Sequence, residues 1–506
     1  PDHLQWVKFS GAAWDKNCEG FYYSRYDAPE SGDQLKKTNY YQKLFYHRIG
    51  TPQEEDELIY KRDDHKEWGF GSEVTEDGTT LVIYVTIGTQ EEICIFLKDL
   101  TQPDSAIVEL LPDFNAEYEL IAKKGQVLYF LTSHSAPMKR VVAIDIDNPS
   151  PSNWEEIIPE SKDTIQSVDL LNGYFICTVL HDAVNQVNIY SERGELISTI
   201  ELPGLGTITG FHGKTTDTET FYAYTDTTTP STIYRYDLIK RTNNLFRRPK
   251  IVFDPAEFIT EQVFITSKDG TQVPMFISHK KGLKKTGDLP TYLFGYGGFN
   301  IAIPVNFKVP ILVWMELGGV YAQVQLRGGS EYGESWHLGG MKENKQNVFD
   351  DFISAAEWLI KKEYTCREKL AVAGRSNGGL LIGAVMTQRP DLFGVCMPTV
   401  GVMDMLRFHK FTIGWAWVSD YGSPDDPEDF KVIKAYSPYH NIKEGQKYPP
   451  TMITTGDHDD RVFPAHSYKF AAALQAAQAG DAPILIRIDT KAGHGVGKPT
   501  AKLIEE

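Results

Sequence analysis

The chain has 506 residues, 41% hydrophobic and 24% charged, a balance that excludes disordered and fibrous classes. At roughly 150 residues per domain this length predicts two to four domains. Fifty-one basic against 68 acidic side chains leave a formal charge of −17, which argues against nucleic acid or an anionic membrane as a partner.

The chain opens Pro1-Asp2-His3, with no Met, no basic region and no apolar core of a signal sequence. The expectation is that a leader has been removed or that the chain starts in mid-protein. From Phe9 to about Arg248 short aromatic or aliphatic strands alternate with polar turns, in keeping with 26 Tyr and 26 Phe. Strands are expected at 20–23, 80–84, 126–130, 173–176 and 220–224. With Leu81, Val127, Tyr174 and Phe221 as anchors, the steps are 46, 47 and 47 residues. A later strand keeps the same beat, since Phe96, Val142 and Asn188 are 46 apart. The first step, Phe21 to Leu81, is 60 residues, the excess falling in the polar loop 26–39.

A period in the forties with several strands per unit predicts an all-β propeller, whose blades stack radially because none buries its faces alone. A β-sandwich would need two independent strands to share one period by coincidence. About five blades are visible.

Past Pro249 the pattern changes. Strands are expected at 263–265, 274–277, 291–294, 370–373, 451–454 and 484–488, with helices at 347–362, 380–386 and 467–479. Val348, Phe352, Ala355, Ala356 and Leu359 fall at helical spacing. The alternation predicts a doubly wound, mostly parallel sheet with crossover helices. The apolar stretch 301–326 contains Lys308, Glu316 and two prolines, so it is not a membrane span. The boundary falls near 247–258, giving a propeller over 1–252 and a second domain over 253–506.

The five cysteines, Cys18, Cys94, Cys177, Cys366 and Cys396, are widely spaced, with no Cys-x-x-Cys or Cys/His cluster. Neither a disulfide framework nor a metal site is expected, and the usage fits a reducing compartment, hence the cytoplasm.

The sharpest chemical motif is Gly374-Arg375-Ser376-Asn377-Gly378-Gly379. A strand leads into it and a helix leads out, the setting of a nucleophile elbow, in which flanking glycines allow a tight turn that presents the serine above the sheet. A serine hydroxyl needs a base, itself oriented by a carboxylate. The strand at 451–454 runs into Gly456-Asp457-His458-Asp459-Asp460-Arg461-Val462, and the strand at 484–488 is followed by Ala492-Gly493-His494-Gly495. Both place polar groups past the carboxyl ends of strands, where open α/β sheets build their sites. His494 between glycines is the expected base. Spacing does not separate Asp457, Asp459 and Asp460. A third glycine-rich segment, Gly295-Tyr296-Gly297-Gly298-Phe299, follows another strand, as an oxyanion loop does.

With these motifs, and with Arg327-Gly328-Gly329-Ser330-Glu331-Tyr332-Gly333, Gly401-Val402-Met403-Asp404-Met405 and Thr490-Lys491-Ala492-Gly493-His494-Gly495, the chain resembles the prolyl oligopeptidases. This serine peptidase family joins a propeller to an α/β-hydrolase domain. The resemblance implies Ser376 as nucleophile, His494 as base and then acid, and Asp459 as the orienting carboxylate. The Asn377 backbone N–H and the Tyr296 hydroxyl would hold the oxyanion, and Arg461 a substrate carbonyl. Phe299, Val402, Trp417, Tyr421 and Val462 would line the specificity pocket, with Trp417 stacked on a proline ring. An apolar pocket suits proline, whose ring is compact and whose nitrogen within a chain has no hydrogen to satisfy.

The implied activity is a serine endopeptidase that cleaves short proline-containing peptides on the carboxyl side of proline through an acyl-enzyme, as a monomer, without cofactor or metal. A transpeptidase or macrocyclase of the same family, in which a substrate amine replaces water, has the same residues. A non-catalytic propeller interaction module would have lost a triad or oxyanion member, and none is missing. Two departures from the family pattern stand out. Arg375 occupies a position where many relatives carry glycine. The family's seven blades, its preceding hydrolase segment and its final helix also exceed this chain, which ends Lys502-Leu503-Ile504-Glu505-Glu506, so truncation at the N-terminus and slightly at the C-terminus is expected.

Overall fold

A computed structural model describes residues 2–30 and 38–495. Part of the polar loop 26–39, and the expected features at 502–506, therefore lie outside the described residues. Between residues 13 and 247 the described chain forms five four-stranded antiparallel sheets in sequence. The second strands of these sheets are Gly20–Arg25, Thr80–Ile87, Val127–Thr132, Tyr174–His181 and Glu219–Thr225, so the period seen in the sequence is the repeat of one sheet. The later beat of Phe96, Val142 and Asn188 falls on the third strands Cys94–Asp99, Arg140–Asp145 and Val184–Ser191.

Alternation along each strand explains the stacking. In Thr80–Ile87, Leu81, Ile83 and Val85 pack with Tyr22 and Leu44 of the preceding sheet, while Val82 packs with Leu120, Leu128 and Phe130 of the next. In the third sheet Leu128 and Phe130 look back, and Leu131, Val141 and Ala143 look forward to Ile165, Val168 and Phe175. Successive side chains of a strand point to opposite faces, so a strand apolar at both parities joins two neighbours. Five such sheets give the propeller. Its hairpins use local turn chemistry: Asn172 and Gly173 both have positive φ (47° and 77°), as a two-residue hairpin turn of the mirror-image class requires.

The second half is built on one eight-stranded sheet. Its strands are β1 (Phe258–Thr266), β2 (Gln272–Lys280), β3 (Thr291–Phe294), β4 (Val320–Val324), β5 (Leu370–Arg375), β6 (Val395–Thr399), β7 (Thr451–Gly456) and β8 (Ile484–Asp489). The spatial order is β1-β2-β4-β3-β5-β6-β7-β8, with β2 antiparallel to both of its neighbours and β4 to β8 with β3 mutually parallel. Helices α1 (Lys345–Lys361), α2 (Asn377–Gln388) and α3 (Ala465–Ala477) make crossovers, close to the helices expected at 347–362, 380–386 and 467–479. Their apolar residues, among them Val348, Phe352, Leu381 and Leu474, share one core with Val324, Val372 and Ile453 of the sheet. The expected fold class, an α/β-hydrolase sheet with a propeller, is the one observed.

The Arg327-Gly328-Gly329 motif is anchored from below. Arg327 Nη2 and Nε donate to the two oxygens of Asp351 on α1 at 2.6 and 3.0 Å, and the Asp351 side chain is fully buried. A bidentate pair of this kind fixes orientation as well as position. The pair ties helix α1 to the loop after β4.

Candidate active site

Ser376 occupies the turn between β5 and α2 with φ 59° and ψ −116°, a backbone region that a side chain normally avoids. The turn is so tight that a Cβ at Gly374 would lie 2.2 Å from the Gly378 carbonyl oxygen, and one at Gly378 2.7 Å from the Gly295 oxygen. Only glycine fits either place. The Ser376 N–H donates to Thr399 O at 2.9 Å, which pins the elbow to the end of β6. The first amides of α2 then point toward the serine, where the helix dipole favours negative charge.

Past β7, Asp459 is fully buried. Its Oδ1 accepts the Arg461 and Val462 backbone N–H groups at 3.0 and 2.9 Å, and its Oδ2 lies 2.7 Å from His494 Nδ1. Three bonds leave this carboxylate one orientation, and it fixes the imidazole in turn. Asp457, by contrast, faces His458 at 2.6 Å and accepts the Ala492 N–H at 3.2 Å, while Asp460 pairs with Lys8 at 2.8 Å. Of the three carboxylates, only Asp459 meets His494. Ser376 and His494 share no hydrogen bond here, a separation that commonly closes only when substrate is present.

The Arg375 guanidinium packs on the loop of His494, so that a Cβ at Gly495 would lie 2.1 Å from Arg375 Nη2. Burial disfavours its charge, and nearby Asp459 opposes that effect.

The loop after β3 is held from two sides. Asn377 is buried, and its Nδ2 donates to the Tyr296 and Gly297 carbonyls at 2.7 and 2.9 Å. Its Oδ1 accepts from the Tyr421 hydroxyl at 2.9 Å. On the other side Lys345 Nζ donates to Gly297 O at 3.0 Å. Burial, with a contribution from Asp420, pushes the Tyr296 phenol up to about 12 against the opposing charge of Arg461, so it remains a proton donor at neutral pH.

A cavity of about 540 Å³ opens in front of Ser376. Tyr296, Phe299, Ser376, Val402, Trp417, Tyr421 and Arg461 line it from the hydrolase side, and Phe9, Phe70, Thr86 and Thr89 from the propeller. Val462, Asn377 and Asp459 are buried and off its wall, and the partly buried His494 is off it too. The aromatic wall is rigid: Phe408 stacks on Trp417 (6.3 Å, 16°), and Tyr421 meets Phe299 and Phe408 edge-on at 5.3 and 5.4 Å. Such edge-to-face pairs fix ring planes as well as burying area. Arg461 is exposed, with its guanidinium 5.5 Å from the Phe9 ring.

Three features have no counterpart in the sequence reading. Asp420 is buried and accepts the Phe299 N–H with Oδ2 at 2.9 Å, with Lys345 3.5 Å from its Oδ1 and His337 3.0 Å from its Oδ2. Burial opposes its ionisation, but Lys345 and His337 hold its carboxyl below the usual range. The Asn377 side chain, and not its backbone alone, shapes the loop. Finally, the propeller clasps segment 412–419: Thr89 Oγ1 donates to Ala416 O at 2.8 Å, and Trp415 Nε1 donates to Asn39 O at 3.0 Å. No periodicity or motif signals a buried charge or a partner more than 300 residues away.

Residues 1–249 match the family described as Prolyl oligopeptidase, N-terminal beta-propeller domain, and residues 305–506 match the Prolyl oligopeptidase family. The prolyl endopeptidase of Elizabethkingia meningoseptica is 45% identical over 501 residues, covering 99% of this chain and 70% of that protein. Prolyl oligopeptidase B from Galerina marginata, bound to a 35mer hydrolysis and macrocyclization substrate, superposes with a TM-score of 0.94 at 35% identity, covering 100% of this chain and 71% of that one. The apo structure of the same Galerina protein gives 0.70 at 35% identity, covering 96% and 70%.

Proposed function

The chain belongs to the prolyl oligopeptidase family and is a serine-type prolyl endopeptidase, and from that premise we propose how its residues divide the work. Ser376 Oγ attacks the carbonyl carbon of a proline seated against Trp417, and His494 takes the hydroxyl proton. The bond between carbon and the leaving nitrogen then breaks, and His494 returns the proton to the departing amine. The resulting acyl-enzyme is cleared by water, which gives its proton to His494 as it attacks. Asp459 keeps His494 in one tautomer and supports its positive charge. The observation that carries this reading is the three-bonded Asp459 on the imidazole of His494, on the same sheet edge as the strained Ser376.

Tyr296 and the Asn377 backbone N–H stabilise the oxyanion, where preorganised donors contribute most. Phe299, Val402, Trp417, Tyr421 and Val462 form the proline site, the last from behind the wall. The exposed Arg461 binds a substrate carbonyl upstream of the scissile bond. We assign residues 1–252 to the propeller and 253–506 to the hydrolase. Chain matches at 1–249 and 305–506 support that division.

The substrates we propose are short proline-containing peptides that enter between propeller and hydrolase, without nucleic acid or membrane as a partner. A cytoplasmic monomer fits five free cysteines and the −17 charge. Among the described residues no helix is long and apolar enough to cross a membrane. Sedimentation and cell fractionation test both points.

The decisive assay compares proline, alanine and arginine reporter peptides with wild type and Ser376→Ala. Proline cleavage that vanishes in the variant is expected, and undiminished cleavage or an arginine preference would overturn the reading. Mass analysis of products from a long peptide separates hydrolysis, which adds water, from transpeptidation, which does not.

A further inference from the structure

His337 lies where the proline pocket meets the propeller. It sits on the short helix Glu334–Leu338 with its side chain 9% exposed, and each ring nitrogen faces a carboxylate. Nδ1 is 2.8 Å from Glu91 Oε1, and Nε2 is 3.0 Å from Asp420 Oδ2. Nε2 is hydrogen-bonded to Asp420, whereas Nδ1 lies in close charge contact with Glu91 without hydrogen-bond geometry; burial raises the Glu91 carboxyl and His337 opposes that effect. Burial by itself would lower the His337 pKa, but Asp420 and Glu91 raise it to about 9.

The two carboxylates belong to different halves of the molecule. Glu91 stands on the propeller loop between Thr80–Ile87 and Cys94–Asp99, whereas Asp420 lies in the helix Val418–Tyr421 of the hydrolase. Asp420 in turn holds the Phe299 N–H at 2.9 Å, and Phe299 has a φ of 58°, a conformation that needs such support. Tyr421, next in the chain, closes the same wall and bonds Asn377. The remaining charged groups around His337 are accounted for. Lys345 lies beyond Asp420, Arg327 is committed to Asp351 and Asp269, and Glu117 near Glu91 pairs with Lys139. Glu334 is on its own helix.

Resting on the catalytic reading above, we propose that His337 is a positioning residue that couples the seating of the propeller to the shape of the proline pocket. Glu91 fixes His337, His337 fixes Asp420, and Asp420 fixes Phe299. Glu91 is off the wall of the cavity in front of Ser376, so any influence of its carboxylate on proline selection is indirect, and the His337–Asp420–Phe299 contacts supply a path for it. The Galerina relative matches this chain at 0.94 in one structure and 0.70 in another, so more than one arrangement exists within the family for such a contact to report.

The test measures kcat/KM for proline and alanine reporters across pH with wild type, Glu91→Gln, His337→Gln and the double variant. Coupling of ordinary size gives a fall of at least about fivefold in the proline-to-alanine ratio in each single variant. The double variant is expected to fall no further than either single one, since both break one path. The wild-type ratio is expected to decline as pH passes about 9, where His337 loses its second proton, and to stay flat in His337→Gln. Glu91 is partly exposed on a loop, so Glu91→Gln reads out even where His337→Gln folds poorly. Equal losses for both reporters, an unchanged ratio, or the same alkaline decline in His337→Gln would overturn the proposal. A wild type that does not favour proline would instead remove the catalytic reading beneath it.

Discussion

Tyr421 donates its phenolic proton to Asn377 Oδ1 at 2.9 Å, tying the wall of the proposed proline pocket to the residue that follows Ser376, the proposed nucleophile. Both partners are buried, and the Asn377 amide spends its donors on the Tyr296 and Gly297 carbonyls. One asparagine thus ties together the loop after β3, the turn at Ser376 and the cavity wall.

Tyr421→Phe leaves that oxygen buried without a partner, at a cost of about 1–3 kcal/mol. The ring remains, so proline packing is largely kept. The expected outcome is a fall of roughly tenfold or more in kcat with a smaller change in KM, because the displaced Asn377 N–H, in the proposed role, acts on the oxyanion and not on the ground state. Steady-state kinetics on one proline reporter checks this.

Asp459→Asn keeps the shape of the site but offers His494 Nδ1 either a donor or a neutral acceptor. The expected loss is about ten-thousand-fold in kcat, the scale of a wrong tautomer in a serine triad. Asp457→Asn and Asp460→Asn, which face His458 and Lys8, are expected to leave kcat within about threefold, as surface changes do. Comparable losses in all three would contradict the assignment.

Trp417→Ala removes the flat partner proposed for the proline ring and undoes the stack with Phe408 at 6.3 Å. A single methylene of apolar contact already changes discrimination by about 10- to 200-fold, and an indole offers at least that much. The proline-to-alanine ratio of kcat/KM is expected to collapse by that order, while cleavage after alanine changes little.

Glu331 carries a stability prediction. It is 2% exposed, accepts the Ile303 N–H at 3.3 Å with one oxygen and has no partner for the other. Burial raises its pKa from 4.5 to about 8, against weaker opposing hydrogen bonds. The folded state therefore keeps a proton that the unfolded state has released, and stability present below 4.5 is lost as pH rises toward 8. The Tm of Glu331→Gln relative to wild type is expected to climb across that window and then level off. A difference independent of pH would contradict a neutral buried acid.

The blade repeat was readable because each blade must place apolar residues at both parities, and Leu81, Val127, Tyr174 and Phe221 therefore recur in phase. The elbow was readable because Gly374 and Gly378 answer a steric demand that only glycine meets. Which carboxylate meets His494 needed more, since Asp457, Asp459 and Asp460 are equivalent in spacing and differ in which one the turn buries against the imidazole. His337, Asp420 and Lys345 left no trace, because a charge destined for the interior looks like a surface charge until its partner is placed. The same holds for Thr89 and Ala416, whose contact is created by the docking of two halves. Helix ends were displaced by about two residues, as at α1 and α3, because capping there relies on no distinctive side chain.

The measurement closest to the central claim is intact-mass analysis after exposure to a serine-reactive phosphonate carrying a proline side chain, with peptide mapping of the adduct. One adduct per chain on Ser376, absent in Ser376→Ala and formed far more slowly in Asp459→Asn, is the predicted result. Labelling of another residue, or equal labelling at Ser376 by an arginine analogue, would contradict it.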